Sequence, residues 1–141
     1  MFDLWKAIFE AFVNDYQLIN LLGSEDNVMR GFQRVNSKKT QVVFNEVTPS
    51  GPLTRSTSRI SNITFQITVF ASTQRLVADV SSRIKRILQP DDQPNGVNLS
   101  SASIHCYLCE WVSWLTDLYW DKEVSTYRRD MDFRIVVREI S

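Results

Sequence analysis

The chain has 141 residues, of which 43% are hydrophobic and 23% charged. That is the composition of one ordinary globular domain, 1–141, able to hide roughly two-thirds of the surface its unfolded chain exposes. Sixteen Lys and Arg balance sixteen Asp and Glu, which excludes the broad positive field that holds nucleic acid or an anionic membrane and leaves little repulsion between copies.

The first stretch, MFDLWKAIFEAFVNDY, is apolar but broken by Asp3, Lys6, Glu10 and Asp15. It lacks the uninterrupted apolar run of a secretory signal, and nothing in the chain approaches the ~20 apolar residues of a membrane span. Asp3 is placed to cap a helix from Leu4, with Trp5, Ile8, Phe9, Phe12 and Val13 on one face. Asp15 restarts the helix through Leu18, Leu21 and Leu22, and Gly23 ends it. GSEDN, 23–27, reads as a loop and VMRGFQRV, 28–35, as a short extended piece. QVVFNEV, 41–47, has the β-branched and aromatic content of a strand. The Pro-, Gly-, Ser- and Thr-rich TPSGPLTRSTS, 48–58, reads as a long hairpin loop; such loops are usually functional or disordered.

In NITFQITVFASTQRLVADVSSRIKRIL, 62–88, the period changes midway. Ile63, Phe65, Ile67 and Val69 alternate with Asn62, Thr64, Gln66 and Thr68, so a strand has one apolar and one polar face. Ser72 or Thr73 then caps a helix whose stripe is Leu76, Val77, Val80, Ile84, Ile87 and Leu88. Arg75, Asp79, Ser82, Arg83 and Arg86 form its solvated side. The helix ends before Pro90, and QPDDQPNG, 89–96, is a loop. VNLSSASIHCYLCEWVSWL, 97–115, reads as a strand, irregular near Ser100–Ser103. TDLYWDKEVSTY, 116–127, holds a turn or loop, and YRRDMDFRIVVREI, 127–140, is a closing strand with Met131, Phe133, Ile135 and Val137 on one face.

The order α-β-β-α-β-β predicts an α+β fold: an essentially antiparallel four-stranded sheet with helices packed on one face. The polar face of the strand at 62–69 suits solvent or a wet subunit interface.

Chemistry is sparse. His105 is the only histidine, in a predicted strand, where a structural or surface place is the ordinary one; a base needs a nucleophile and an orienting partner. Cys106 and Cys109 match the C-x-x-C spacing, but a structural zinc needs four ligands and the redox version needs a helix start. On a regular strand the two thiols would face opposite sides, so packing cysteines are expected, with no metal, no cofactor and no enzymatic activity. Asp91 and Asp92 read as solvated loop residues. The basic helix side, interrupted by Asp79, reads as a solvated face rather than a nucleic-acid site. Trp111, Trp114, Tyr119, Trp120 and Tyr127 crowd one segment; they either close the core or make a subunit contact. Arg75, Arg83, Arg86, Trp111, Trp114, Trp120 and Tyr127 are the candidate interface residues. Pro49, Ser50, Gly51, Pro52, Leu53, Thr54 and Arg55 form a candidate partner-contact loop.

Four features carry a resemblance: a first helix ending in LINLLGSEDNVMRGF; QVVFNEV followed by a Pro/Ser/Thr loop; ITFQITVFASTQRLVADVSSRIKRIL; and YRRDMDFRIVV. Together they resemble the tail completion proteins of long-tailed bacteriophages, which include tail terminators and tail-to-head joining proteins. The likeness spans nearly the whole chain, although KKTQVVF stands where members often have a proline and an aromatic. It implies a tail-terminator-like fold and a virion protein, made in the host cytoplasm, that forms a hexameric ring at the head-proximal end of the tail. Its implied partners are further copies of itself, the tail tube protein and the head–tail connector or stopper, with no cofactor, no membrane and no sequence-specific nucleic acid. A neck or head-completion adaptor and a minor tail protein stay open beside it. So do, from other classes, a free-standing binding module and a small enzyme using His105 with Cys106 or Cys109.

Overall fold

The computed structural model describes residues 2–31, 36, 38–47 and 60–139. Helix α1 runs Phe2–Val13 and α2 Tyr16–Leu22, followed by a short 3-10 turn at Glu25–Asn27. Then come β1 (Val28–Arg30), β2 (Gln41–Val47), β3 (Ile60–Ala71), α3 (Gln74–Leu88), β4 (Ile104–Trp114), β5 (Tyr119–Asp121) and β6 (Thr126–Glu139).

Helix α1 begins at Phe2, so Asp3 lies inside its first turn and is not the residue before it. The other helix ends follow their sequence signals. The Asp15 side chain accepts from Leu18 N–H at the start of α2, and Gly23 closes that helix in the left-handed region at φ 84°. Thr73, not Ser72, caps α3 by accepting from Leu76 N–H.

The sheet has six strands where four were expected, in the order β1-β2-β3-β6-β4, with β5 also on β6. The four long strands are antiparallel neighbours. The two additions are three residues each. β1 pairs with β2 in parallel, Val28 opposite Val42. β5 lies in the segment read as turn or loop, and it shares with β4 the edge of β6 that faces away from β3.

Helices and sheet meet on one face. Leu4, Ile8 and Phe12 of α1, Leu18 and Leu22 of α2, and Val77, Val80, Ile84 and Leu88 of α3 are buried against the sheet. The sheet contributes Phe44, Ile63, Phe65, Ile67 and Val69, and Met131, Phe133, Ile135 and Val137 of β6. The period change at 62–88 is thus a strand covered by the helix that follows it. Helix α1 sits towards the β1–β2 side, its Trp5 stacked on Phe44 with ring centroids 6.2 Å apart.

The far face of the sheet is polar but not wholly solvated. Thr68 and Asp130 are buried there, and the Thr68 hydroxyl donates to Asp130 Oδ1 at 2.6 Å. Thr116 donates to Asp130 Oδ2 at 3.1 Å and Arg128 to Oδ1 at 3.0 Å, so the buried carboxylate is fully engaged. Arg128 also reaches Asp121 at 2.9 Å and lies over the rings of Phe70 and Tyr119. Among the described residues no helix is long and apolar enough to cross a membrane.

Candidate subunit interface

Strand β4 decides where the aromatic residues point. Its register against β6 slips twice, between Cys106 and Leu108 and between Trp111 and Ser113. Each slip leaves one extra residue, Tyr107 and then Val112, both exposed. Each bulge also shifts the alternation by one, so residues three apart come to share a face. Trp111 lies opposite Phe133 and Trp114 opposite Met131, both on the helix-covered face.

The same shift overturns the expectation that Cys106 and Cys109 diverge. They lie opposite Val137 and Ile135, so both thiols point to the core side. Cys109 is fully buried, and burial pushes its thiol well above the ordinary range, with Cys106 and Glu110 adding to the shift. His105 is exposed, its ring 4.5 Å from that of Tyr107. Among the described residues no three His, Cys, Asp or Glu side chains gather as metal ligands do.

The two tryptophans form the middle of a four-membered row. Their ring centroids are 5.3 Å apart in an edge-to-face arrangement. Lys85 of α3 places Nζ 3.9 Å from the Trp111 ring centre, and Arg129 of β6 places Cζ 3.6 Å from that of Trp114. Both cations sit within the distance at which a ring's negative face attracts them. Arg129 lies on the core side of β6, in the parity of Met131 and Phe133, and is half-buried. Burial pulls its pKa down while Asp117 pulls the other way, and Arg129 Nε is buried with no hydrogen-bond partner among the described residues. Next to this row Trp120 and Tyr127 pair edge to face at 4.9 Å, with Trp120 48% exposed. This corner of the sheet is aromatic, cationic and only half covered. Trp111, Trp114 and Tyr127 pack partly on the core, so they serve the fold and still present a surface.

The backbone edge beside the corner is closed. Cys109 N–H donates to Asn95 O, Trp111 N–H to Gln89 Oε1 and Cys106 N–H to Ser100 Oγ, each at 2.8 Å. The 89–103 loop thereby occupies donors that an edge strand would otherwise offer to another chain.

The arginines named from sequence lie elsewhere. Arg75 is exposed, with Nε 3.9 Å from Asp79. Arg83 is engaged within the chain: Nε and one terminal nitrogen donate to the two oxygens of Asp15 at 3.0 and 2.6 Å. Arg86 is exposed beside it, and the two line adjoining grooves of about 640 and 510 Å³ between α2, α3 and the loop at Asp91–Asp92. The loop Pro49–Arg55 falls outside the described residues. The structure thus joins Trp111 to Trp114 and Trp120 to Tyr127 at one corner and leaves Arg75, Arg83 and Arg86 on the outer side of α3. Sequence reading missed Lys85 and Arg129; the usable signal was that Arg129 continues the parity of the apolar residues after it.

No family model and no curated protein matches the chain. A chain in the solved structure of the virion of a native gene transfer agent particle does. They superpose with a TM-score of 0.68 at 16% identity, over 96% of this chain and 93% of that one. The fold is shared with a virion chain. At that identity the likeness is one of fold, and it covers both chains almost end to end.

Proposed function

We propose that this protein is a virion structural protein, not an enzyme. It forms a ring, of six copies, at the head-proximal end of a phage tail, ends growth of the tail tube and joins the tail to the head connector or stopper. The observation that carries this reading is the near end-to-end likeness to a chain of a gene transfer agent virion. The sequence resemblance to tail completion proteins supplies the finer role, and the chain's place in a virion is part of the proposal. The half-covered aromatic corner supports self-association, because Trp and Tyr are the side chains enriched where interfaces hold most tightly. Arg75 and Arg86 on the outer side of α3 and the loop Pro49–Arg55 are proposed as contacts with the tube or the connector. No cofactor, membrane or sequence-specific nucleic acid has a part in this function.

The test is removal of the gene from the particle that encodes it, followed by electron microscopy. Filled heads with unjoined, overlong tails are the expected result. Unjoined tails of normal length would favour the neck-adaptor reading, and joined, infectious particles would overturn both.

A further inference from the structure

The sheet has two different edges; one ends in an acidic turn and the other bears a cationic row, although Arg30, Lys38 and Lys39 are also exposed on the acidic side. At the β1 edge the 3-10 turn exposes Glu25 and Asp26, neither in an ion pair among the described residues. At the far edge, beside β4 and β5, stands the Lys85–Trp111–Trp114–Arg129 row. Among the described residues Lys85 and Arg129 make no ion pair; their charges rest on tryptophan rings, with Asp117 also acting on Arg129.

The strand register links the two edges. The turn ends at Asn27, directly before Val28; Val28 lies opposite Val42, Val42 opposite Val69, and Val69 opposite Arg129. The acidic turn and the Arg129 end of the row thus lie near the same end of the strand ladder.

We propose that the Glu25–Asp26 turn of one copy docks on the Lys85–Trp111–Trp114–Arg129 row of the next, giving a head-to-tail contact between copies of this chain. The occupant is a second copy because the complementary charges belong to one neutral chain and stand on opposite edges of its sheet. The contact runs through side chains rather than strand addition, since the 89–103 loop holds the Cys106, Cys109 and Trp111 amides. Leu115 and Trp120, 46% and 48% exposed, supply apolar area next to the charges. Two unlike surfaces make a heterologous interface, which gives a ring where the rotation closes. The contact rests on the ring reading above and names the surfaces that ring would use.

Sedimentation velocity on the full chain tests it, at low and at physiological salt. Wild type should associate, more weakly as salt rises. Glu25→Lys with Asp26→Lys should weaken association by about tenfold or more, and so should Lys85→Glu with Arg129→Glu. All four changes together restore opposite charges and should restore association; so should an equimolar mixture of the two double variants. Asp91→Lys with Asp92→Lys, at the other end of α3, should associate as wild type does. If Arg129→Glu unfolds the chain by circular dichroism, Lys85→Glu paired with Asp26→Lys makes the same comparison. Association indifferent to reversal at Glu25 and Asp26, or a folded four-fold variant that stays apart, overturns this contact and leaves the ring reading standing. A wild type that remains monomeric at every concentration and salt overturns both.

Discussion

Asp15 and Arg83, 68 residues apart, are joined by two hydrogen bonds of 3.0 and 2.6 Å, and the same carboxylate accepts from Leu18 N–H at 2.8 Å. One side chain therefore starts α2 and fastens it to α3. The arginine is not a spare surface charge: its planar fork meets a carboxylate already fixed by capping, which lowers the ordering cost of the pair. Asp15→Ala should lower unfolding free energy by roughly 2 kcal/mol, from the lost cap and the lost charged hydrogen bonds. Arg83→Glu should cost at least as much, because it sets two carboxylates against each other. Urea unfolding of both variants checks this, and wild-type stability in either would remove the helix clamp.

The same pair gives a pH dependence. Burial raises the Asp15 pKa, but the Arg83 hydrogen bond, the Leu18 N–H and the Arg83 charge outweigh it and hold the carboxyl below its ordinary value. A depressed folded pKa means that the unfolded chain binds the proton more readily. The contribution is therefore complete above the unfolded pKa of about 4 and is lost as pH falls through the lower folded value. The stability difference between wild type and Asp15→Asn should be constant near neutrality and shrink below about pH 4. A difference that does not change on acidification would show that the charge of Asp15 contributes nothing.

Ile84 is wholly buried on the face of α3 that covers the sheet. Ile84→Ala should open a cavity and cost about 2–5 kcal/mol, a large part of a small domain's stability. Ile84→Asp would bury a charge without a partner and should leave no cooperative thermal transition. A folded Ile84→Asp chain would mean that the helix faces the other way.

That helix and its strand were legible in the sequence because Ile63, Phe65, Ile67 and Val69 keep one parity and Val77, Val80, Ile84 and Leu88 one stripe, and all of these are buried. What the sequence hid has physical causes. A three-residue strand such as Val28–Arg30 or Tyr119–Asp121 is shorter than any pattern that could mark it. A bulge is a change in counting, not in composition: Tyr107 and Val112 look like ordinary strand residues, yet they bring Cys106 to the side of Cys109 and Trp111 to the side of Trp114. The partner of Arg83 caps another helix, so its solvated reading from helix parity alone was incomplete. The candidate interface was legible as an aromatic cluster but not as a row capped by Lys85 and Arg129, because that row exists only once β4, β6 and α3 are side by side.

The closed edge of β4 depends on Gly96. Its φ of 84° lies in the left-handed region, and a Cβ there would stand 1.8 Å from Cys109 O. The fit is close because Cys109 N–H donates to Asn95 O one residue earlier, drawing the loop onto the strand. Gly96→Val therefore meets two obstacles, a backbone conformation that β-branched residues avoid and a collision with backbone rather than with a movable side chain. The loop must lift, and the Cys109 amide loses its acceptor. We expect a loss of at least ~2 kcal/mol, from backbone strain and a broken buried hydrogen bond. Hydrogen exchange should localise it: the Cys109 and Trp111 amides should exchange faster, while those of Ile67 and Phe133 in the middle of the sheet keep their order. Gly23→Ala is the control, since Gly23 has φ 84° but nothing within 4 Å of an added Cβ. It should cost about 1 kcal/mol and leave β4 protected. With its edge released, Gly96→Val should also self-associate through backbone pairing that salt does not weaken, unlike the charge-mediated contact proposed above. Unchanged protection at Cys109 and Trp111 in a folded Gly96→Val chain would show that the 89–103 loop does not hold the edge.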